Sequence, residues 1–193
     1  PTDKFGRYVK MGAKLAAYGA KYFGAVNSSG MLVGDKDLVE IARAHSFIGF
    51  ESSQSRSIGR PMKVDRQEVV AVYAALREWL TMNHEDRFAS YEVRVATQKA
   101  ELKDIPNIET FIHPAEGPAL GLLVRMDTAK VGKTAGEVVA ELKTGNPSIW
   151  VRSPQDRPDD YPEGENGFII LMHLLKEGGE KVIAERLAEI LPS

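Results

Sequence analysis

The 193-residue chain has no cysteine. That excludes disulfides, thiolate nucleophiles and cysteine-ligated metals. Long apolar runs are lacking too: none approaches the ~20 residues that a bilayer-crossing helix needs. The N-terminal residues carry no signal-peptide pattern, so a soluble, cytoplasmic protein with no membrane partner is expected. Nor is there an excess of one charge. The net charge is −2 and no lysine- or arginine-rich run occurs, which argues against nucleic-acid binding through neutralised phosphates. The four histidines (His45, His84, His113 and His173) show no metal-site spacing such as HExxH, so no metal is expected. Internal repeats are absent as well. A chain of this length that folds as one unit hides roughly 70% of its unfolded surface, so a substantial core is available.

What is present begins with a lysine among small residues, Gly19-Ala20-Lys21-Tyr22-Phe23-Gly24, followed by Asn27-Ser28-Ser29-Gly30. Leu15-Ala16-Ala17-Tyr18 before it and Met31-Leu32-Val33-Gly34 after it read as short strands. A lysine that forms a Schiff base needs a fixed backbone, small neighbours that admit a flat cofactor, and a site that holds the amine neutral. A strand end is also where open α/β folds place ligands. The plainer alternative is a solvated lysine in a surface turn. Asn27, Ser28, Ser29 and Gly30 could bind phosphate through hydroxyls and backbone N–H groups, or form a simple Asn-Ser turn.

Helix signals follow. Asp35 to Ala44 reads as a helix capped by Asp35, with Leu38, Ile41 and Ala42 on one face. Residues 46–63 read as a long loop rich in Ser, Gly and Arg. Its Ser52, Ser53, Ser55, Arg56 and Arg60 form a second anion-binding candidate, because the arginine fork pairs bidentately with phosphate or carboxylate; a disordered loop is the alternative. Asp65 and Glu68 have capping-box spacing and open the clearest helix. Its stripe is Val69, Val72, Tyr73, Leu76, Trp79 and Leu80. A second helix runs from about Asp86 to Leu102, with Phe88, Tyr91 and Val95 on one face, and Ile105-Pro106 ends the pattern.

Beyond it, residues 108–113, 120–126, 149–152 and 167–171 read as strands. Thr134 to Leu142 is a helix with a Thr134/Glu137 capping box, and Glu177 to Leu191 is an amphipathic helix. Arg152 alternates with Trp150 on one strand face, where the plain reading is a surface arginine stacked on the indole. His173 beside an apolar strand reads as a partly buried structural residue. Asp156, Asp159, Asp160 and Glu163 read as a solvated loop, since a carboxylate hydrolase needs two such groups on opposing cleft walls.

The expected fold class is α/β with an α+β C-terminal module. Residues 1–63 read as a remnant of a larger α/β domain, 64–103 as linking helices, and 104–193 as a small antiparallel-sheet domain with helices on one face. The first segment holds too few strands to close a sheet alone. A homodimer or higher homo-oligomer is therefore expected, burying the Trp79 stripe and the sheet edges.

Several stretches together carry a family resemblance: Gly12-Ala13-Lys14-Leu15, Tyr18 to Ala25, Ser29 to Leu38, Phe47 to Glu51, Gly59 to Glu68, Gly145 to Arg152, and Leu187 to Leu191. In this order they resemble the C-terminal half of selenocysteine-synthase-like (seryl-tRNA selenium transferase-like) pyridoxal-phosphate enzymes of the aspartate-aminotransferase fold superfamily. The resemblance implies pyridoxal phosphate as cofactor and Lys21 as the aldimine lysine. It implies a lyase or transferase reaction on a small-molecule substrate, a small amino acid or amino-sugar acid. Asn27, Ser28, Ser29 and Arg60 become the candidate cofactor-binding residues, and Arg152 lies near the substrate carboxylate. Family members have an N-terminal half, absent here, that supplies the aspartate for the pyridine nitrogen, the phosphate cradle and the ring-stacking group. They commonly carry Asp where this chain has Lys14. The alternatives are a non-catalytic self-associating module, or a repurposed scaffold with hydrolase activity using carboxylates in a dimer cleft.

Overall fold

The structure is a computed structural model that describes residues 2–52, 58–153 and 166–191. Ser53, Ser55, Arg56 and the carboxylates Asp156, Asp159, Asp160 and Glu163 lie outside the described residues. The chain divides into two compact units, residues 1–84 and 85–193.

In the first unit, α1 (Thr2–Lys10) leads into β1 (Leu15–Gly19), a 3₁₀ turn (Ala20–Phe23) and β2 (Gly30–Gly34). The two strands pair antiparallel with Ala16 opposite Val33 and Tyr18 opposite Met31. Alternation puts Tyr18 on the face that meets α1. There the Phe5 ring meets the Tyr18 ring edge-on at 5.4 Å and the Phe23 ring at 5.7 Å. The Tyr18 hydroxyl donates to the Phe5 carbonyl at 3.0 Å. Helices α2 (Lys36–Ala44), α3 (Phe47–Glu51) and α4 (Arg66–Thr81) complete the unit. Asp35 caps α2 by accepting from the Asp37 N–H at 3.0 Å. Residues 46–63 are not wholly a loop: Ser46 accepts from the Gly49 N–H and starts α3. The expected capping box of Asp65 and Glu68 opens α4. Only part of the α4 stripe turns inward. Ala75 is buried with Ala20 and Phe23, and Val72, Leu76 and Trp79 pack against them. Val69, Tyr73 and Leu80 are exposed.

The second unit contains most of α5 (His84–Leu102), which starts two residues before the expected helix. Strands β3 (Ile108–His113), β4 (Gly121–Met126) and β5 (Gly167–Leu171) form an antiparallel sheet in the order β3-β4-β5. Leu122 faces Ile170 and Val124 faces Phe168 in the register. These four residues are buried on one sheet face. They join Val95 and Leu102 of α5, Val138 and Leu142 of α7 (Ala135–Thr144), and Ile183 and Leu187 of α8 (Gly179–Ile190) in one core. The reverse face is wetter: the Arg125 guanidinium lies 4.5 Å from the Phe111 ring centroid and 3.9 Å from the Glu109 carboxylate. One-sided burial suits an antiparallel sheet, but β5 departs from it, since Ile169 on the reverse face is also fully buried. Gly121 permits the close strand approach, because a Cβ there would sit 2.1 Å from the Ile170 carbonyl oxygen.

Two departures from the sequence reading concern this unit. A short helix, α6 (Thr128–Val131), lies where none was expected, capped by Asp127 and closed by Gly132 at φ 70°. The expected strand at 149–152 is a single bridge instead. Arg152 and Ile169 exchange two backbone hydrogen bonds, at 2.9 and 2.8 Å. Trp150 points outward, 74% exposed, with the Lys143 amine 3.9 Å from its ring centroid. Among the described residues no helix is long and apolar enough to cross a membrane.

Phe168 is fully buried, so Phe168→Ala is expected to cost about 3–5 kcal/mol of the second unit's stability, read as a lower urea midpoint. The hydrogen bonds of the Thr134 backbone and side chain hold Glu137 below the ordinary carboxylate range. A depressed carboxyl pKa contributes stability that is complete above the unfolded value of about 4.3 and is lost as pH falls through the folded one. In Glu137→Gln, that acid-side fall in the urea midpoint should shrink.

Candidate functional site

The lysine turn is built from the backbone outward. Gly19 leaves β1 and Ala20 opens the 3₁₀ turn, fully buried with 0% exposure. The Ala20 N–H donates to the Ser29 carbonyl at 3.0 Å, and the Ala25 N–H returns to the Ala20 carbonyl at 3.1 Å. Gly24 closes the turn at φ 101°, a left-handed conformation that glycine adopts without steric cost. Ala20 thus faces inward and Lys21, the next residue, faces outward. Lys21 is exposed, with its Nζ 5.2 Å from the Tyr22 ring centroid. Beside the turn lies a cavity of about 180 Å³ lined by Phe5, Tyr18, Gly19, Tyr22, Phe23 and Trp79, with Lys4 at its edge.

The residues after the turn spend their hydroxyl protons locally. Ser29 Oγ donates to the Val26 carbonyl at 2.7 Å, and Ser28 Oγ donates to the Glu68 carboxylate. The Ser28 bond, followed by the Asp65 backbone N–H, holds Glu68 below the ordinary carboxylate range. Asn27 is exposed. Arg60 stacks over Phe50, its guanidinium carbon 5.3 Å from the ring centroid. The structure therefore keeps Asn27, Ser28 and Ser29 in one loop with Lys21 and engages Arg60 elsewhere.

Arg152 belongs to the second unit and joins a different group. On α5, Arg87, Tyr91 and Arg94 share one face, at spacings of four and three. Arg94 clamps the segment after β5. Its Nη1 donates to the Met172 carbonyl at 3.0 Å and to the Leu175 carbonyl at 2.7 Å; its Nη2 donates to Lys176 at 2.9 Å. Its Nε donates to the Glu180 carboxylate at 2.6 Å. Burial raises the Glu180 pKa, but the Arg94 hydrogen bond and charge, with backbone N–H groups, outweigh it and leave Glu180 below the ordinary range.

The clamped 3₁₀ turn Met172–Leu174 carries His173 at its centre, with its ring 6.2 Å from that of Tyr91. Desolvation lowers the His173 pKa most, and the charges of Arg152 and Arg87 lower it further, against an opposing hydrogen bond that the imidazole donates to the Leu120 carbonyl. Sequence reasoning missed Arg94 and Arg87, and His173, read there as a partly buried structural residue, is exposed. The 87-91-94 spacing was the available signal.

No family model matches the chain. It is 30% identical over 188 residues to the 5'-C-glycyluridine monooxygenase-decarboxylase of a Streptomyces species, covering 96% of this chain and 43% of that protein. The solved D-glucosaminate-6-phosphate ammonia-lyase superposes with a TM-score of 0.67 at 24% identity, covering 95% of this chain and 45% of the other. DesI, solved with its TDP-sugar product, gives 0.52 at 16% identity, covering 92% and 49%. The chain thus spans less than half the length of each of these relatives. The likenesses establish the fold as part of the aminotransferase fold, in agreement with the expected class.

Arg94 is the group whose loss should be felt most in the second unit. Its side chain is 26% exposed and that of Glu180 8%. Arg94→Met leaves that carboxylate without its partner and should cost about 3–5 kcal/mol. Adding Glu180→Leu should recover part of the loss, measured by urea unfolding as a double-mutant cycle.

Proposed function

We propose that this chain carries part of the site of a pyridoxal-phosphate-dependent lyase or transferase of the selenocysteine-synthase-like group, with Lys21 as the amine that holds the cofactor. The observation that carries this reading is the exposed lysine on a rigid turn, between Gly19 and Gly24, beside an aromatic cavity. The donor set fits covalent attachment: a primary amine at a strand end, flanked by small residues and a flat ring that can receive a planar group. Bound there, pyridoxal phosphate supplies an electron sink for breaking a bond at the substrate's amine-bearing carbon.

The chain's own residues do the rest. The buried Ala20 fixes where the Lys21 backbone sits, so the amine is aimed by the turn, and Lys21 Nζ is the group that exchanges protons with the reacting carbon. Asn27 supplies a donor toward the cofactor's phosphate, and Arg60 would add its fork on leaving the Phe50 ring. Ser28 and Ser29 join them by releasing Glu68 and the Val26 carbonyl, a rearrangement of two side-chain torsions. Arg152 holds the substrate's carboxylate. A small amino acid or amino-sugar acid fits these roles, and the resemblance to proteins named for glycyluridine and glucosaminate 6-phosphate supports it.

The active form is a homodimer or larger homo-oligomer in which a second copy covers the first unit. Among the described residues that unit has four buried apolar side chains against 21 in the second. It leaves Leu15, Leu32, Val69, Tyr73 and Leu80 exposed, and a second copy would cover such apolar surface.

Two measurements test this reading. Mixing the protein with pyridoxal phosphate, reducing with borohydride and mapping the adduct by mass spectrometry should place one cofactor on Lys21, and Lys21→Ala should abolish it. Labels scattered over surface lysines would instead mark a non-catalytic module. Light scattering on the eluting protein should give at least twice the monomer mass; a monomer would contradict the assembly.

A further inference from the structure

We propose that the cavity beside the lysine turn is a binding site for a free aromatic acid, with one ring held among the aromatic side chains and its acidic group at Lys4. The site goes beyond the reading above and needs no cofactor to be occupied.

The first unit builds it from several elements. Helix α1 brings Lys4 and Phe5, the lysine turn brings Tyr22 and Phe23, and α4 brings Trp79. Tyr18 of β1 ties them together. Its hydroxyl donates to the Phe5 carbonyl at 3.0 Å and to the Lys4 carbonyl at 3.2 Å. Those bonds hold the start of α1 against the hairpin and keep Lys4 at the rim. Phe23 is buried, and Phe5, Tyr18 and Trp79 are half-buried. Lys4 and Tyr22 are exposed, so the mouth lies on their side. There the Tyr22 ring rests against Gly19, where a Cβ would sit 3.3 Å from a Tyr22 ring carbon.

Size, shape and charge select the guest. An apolar cavity of about 150 Å³ takes up benzene, so about 180 Å³ admits a single six-membered ring. The Phe5 ring stands at 85° to Tyr18 and at 89° to Phe23. Walls near right angles offer a guest ring both faces to stack on and edges to meet, the two arrangements that aromatic pairs prefer. An aliphatic guest gains neither. Among the described lining residues Lys4 carries the one charge, and none is a carboxylate. The Lys21 amine lies 5.2 Å from the centroid of the Tyr22 ring, so the charge nearby is positive as well. An anion on the ring therefore meets attraction at the mouth, and a cation repulsion. Lys4 is exposed, so the ring supplies most of the affinity and the charge supplies the preference.

The test is titration calorimetry of the whole protein with phenylacetate, phenylacetamide and acetate. Phenylacetate should bind saturably, and acetate should not bind. Phenylacetamide lacks the charge and should bind roughly two- to fivefold more weakly; Lys4→Gln should bring phenylacetate to the same level. Tyr22→Ala should weaken phenylacetate binding about three- to tenfold. Gly19→Val, which fills the mouth, should abolish it, with circular dichroism unchanged in both variants. Equal binding of acetate and phenylacetate, or binding indifferent to both Tyr22→Ala and Gly19→Val, would overturn the site. Equal binding of phenylacetate and phenylacetamide would overturn its preference for an acid.

Pyridoxal phosphate is a second source of a ring that bears an anion. The titration is therefore repeated on protein whose Lys21 carries the borohydride-reduced adduct. Undiminished phenylacetate binding supports a site for a free acid. Blocked binding gives the cavity to the cofactor's ring and overturns the proposal. Phenylacetate bound by protein that takes no label at Lys21 would leave the cavity site standing and remove the cofactor reading. Labelling of Lys21 without phenylacetate binding would do the reverse.

Discussion

The second unit depends on one guanidinium. Arg94 faces a corner of the fold where β5 ends in a 3₁₀ turn before α8 begins, so several carbonyls there fall outside the regular ladders. Buried carbonyls need donors, and a single arginine fork supplies three of them plus a carboxylate partner. Gln98, one turn further along α5, adds a bond from its amide to the Glu180 carbonyl at 3.2 Å. Helix, strand end and final helix are thereby set in register by polar contacts, over a core that is otherwise apolar. The same contacts hold the turn that carries His173.

The first unit is organised on a different scale. Its interior is an aromatic knot of Phe5, Tyr18 and Phe23 around a fully buried Ala20. That knot is sufficient to aim one lysine, yet it leaves a two-stranded sheet and much of α4 in contact with water. A hairpin of that size is marginal in isolation. The rigidity of the turn is local, carried by three backbone hydrogen bonds and one left-handed glycine. Placement of the Lys21 backbone therefore does not wait on a large core.

Much of this was legible from residue order. Leu15–Tyr18 and Met31–Gly34 read as strands on either side of Lys21 because short apolar runs bounded by glycine have few other uses. Asp65/Glu68 and Thr134/Glu137 read as capping boxes because two reciprocal bonds impose a fixed spacing, and both are present. The failures have physical causes. Ser46 caps α3 from within a run of serines and glycines whose composition says loop. Residues 149–152 alternate like a strand, but Trp150 turns to solvent and only Arg152 reaches β5. Arg94 was invisible because an arginine on a helix resembles a solvated one, and its partners are carbonyls about eighty residues away. The resemblance of ordered short segments gave the aminotransferase fold where no periodicity could.

The two tryptophans divide between the two units. Trp79 is half-buried against the aromatic knot, with the His84 ring 4.7 Å away. Trp150 stands in solvent beneath the Lys143 amine. An indole in water emits at longer wavelength than one packed among side chains, so the native spectrum is a sum of two distinguishable colours. Each half of the molecule thus carries its own optical reporter, and the order in which the halves come apart is written in the protein's own fluorescence.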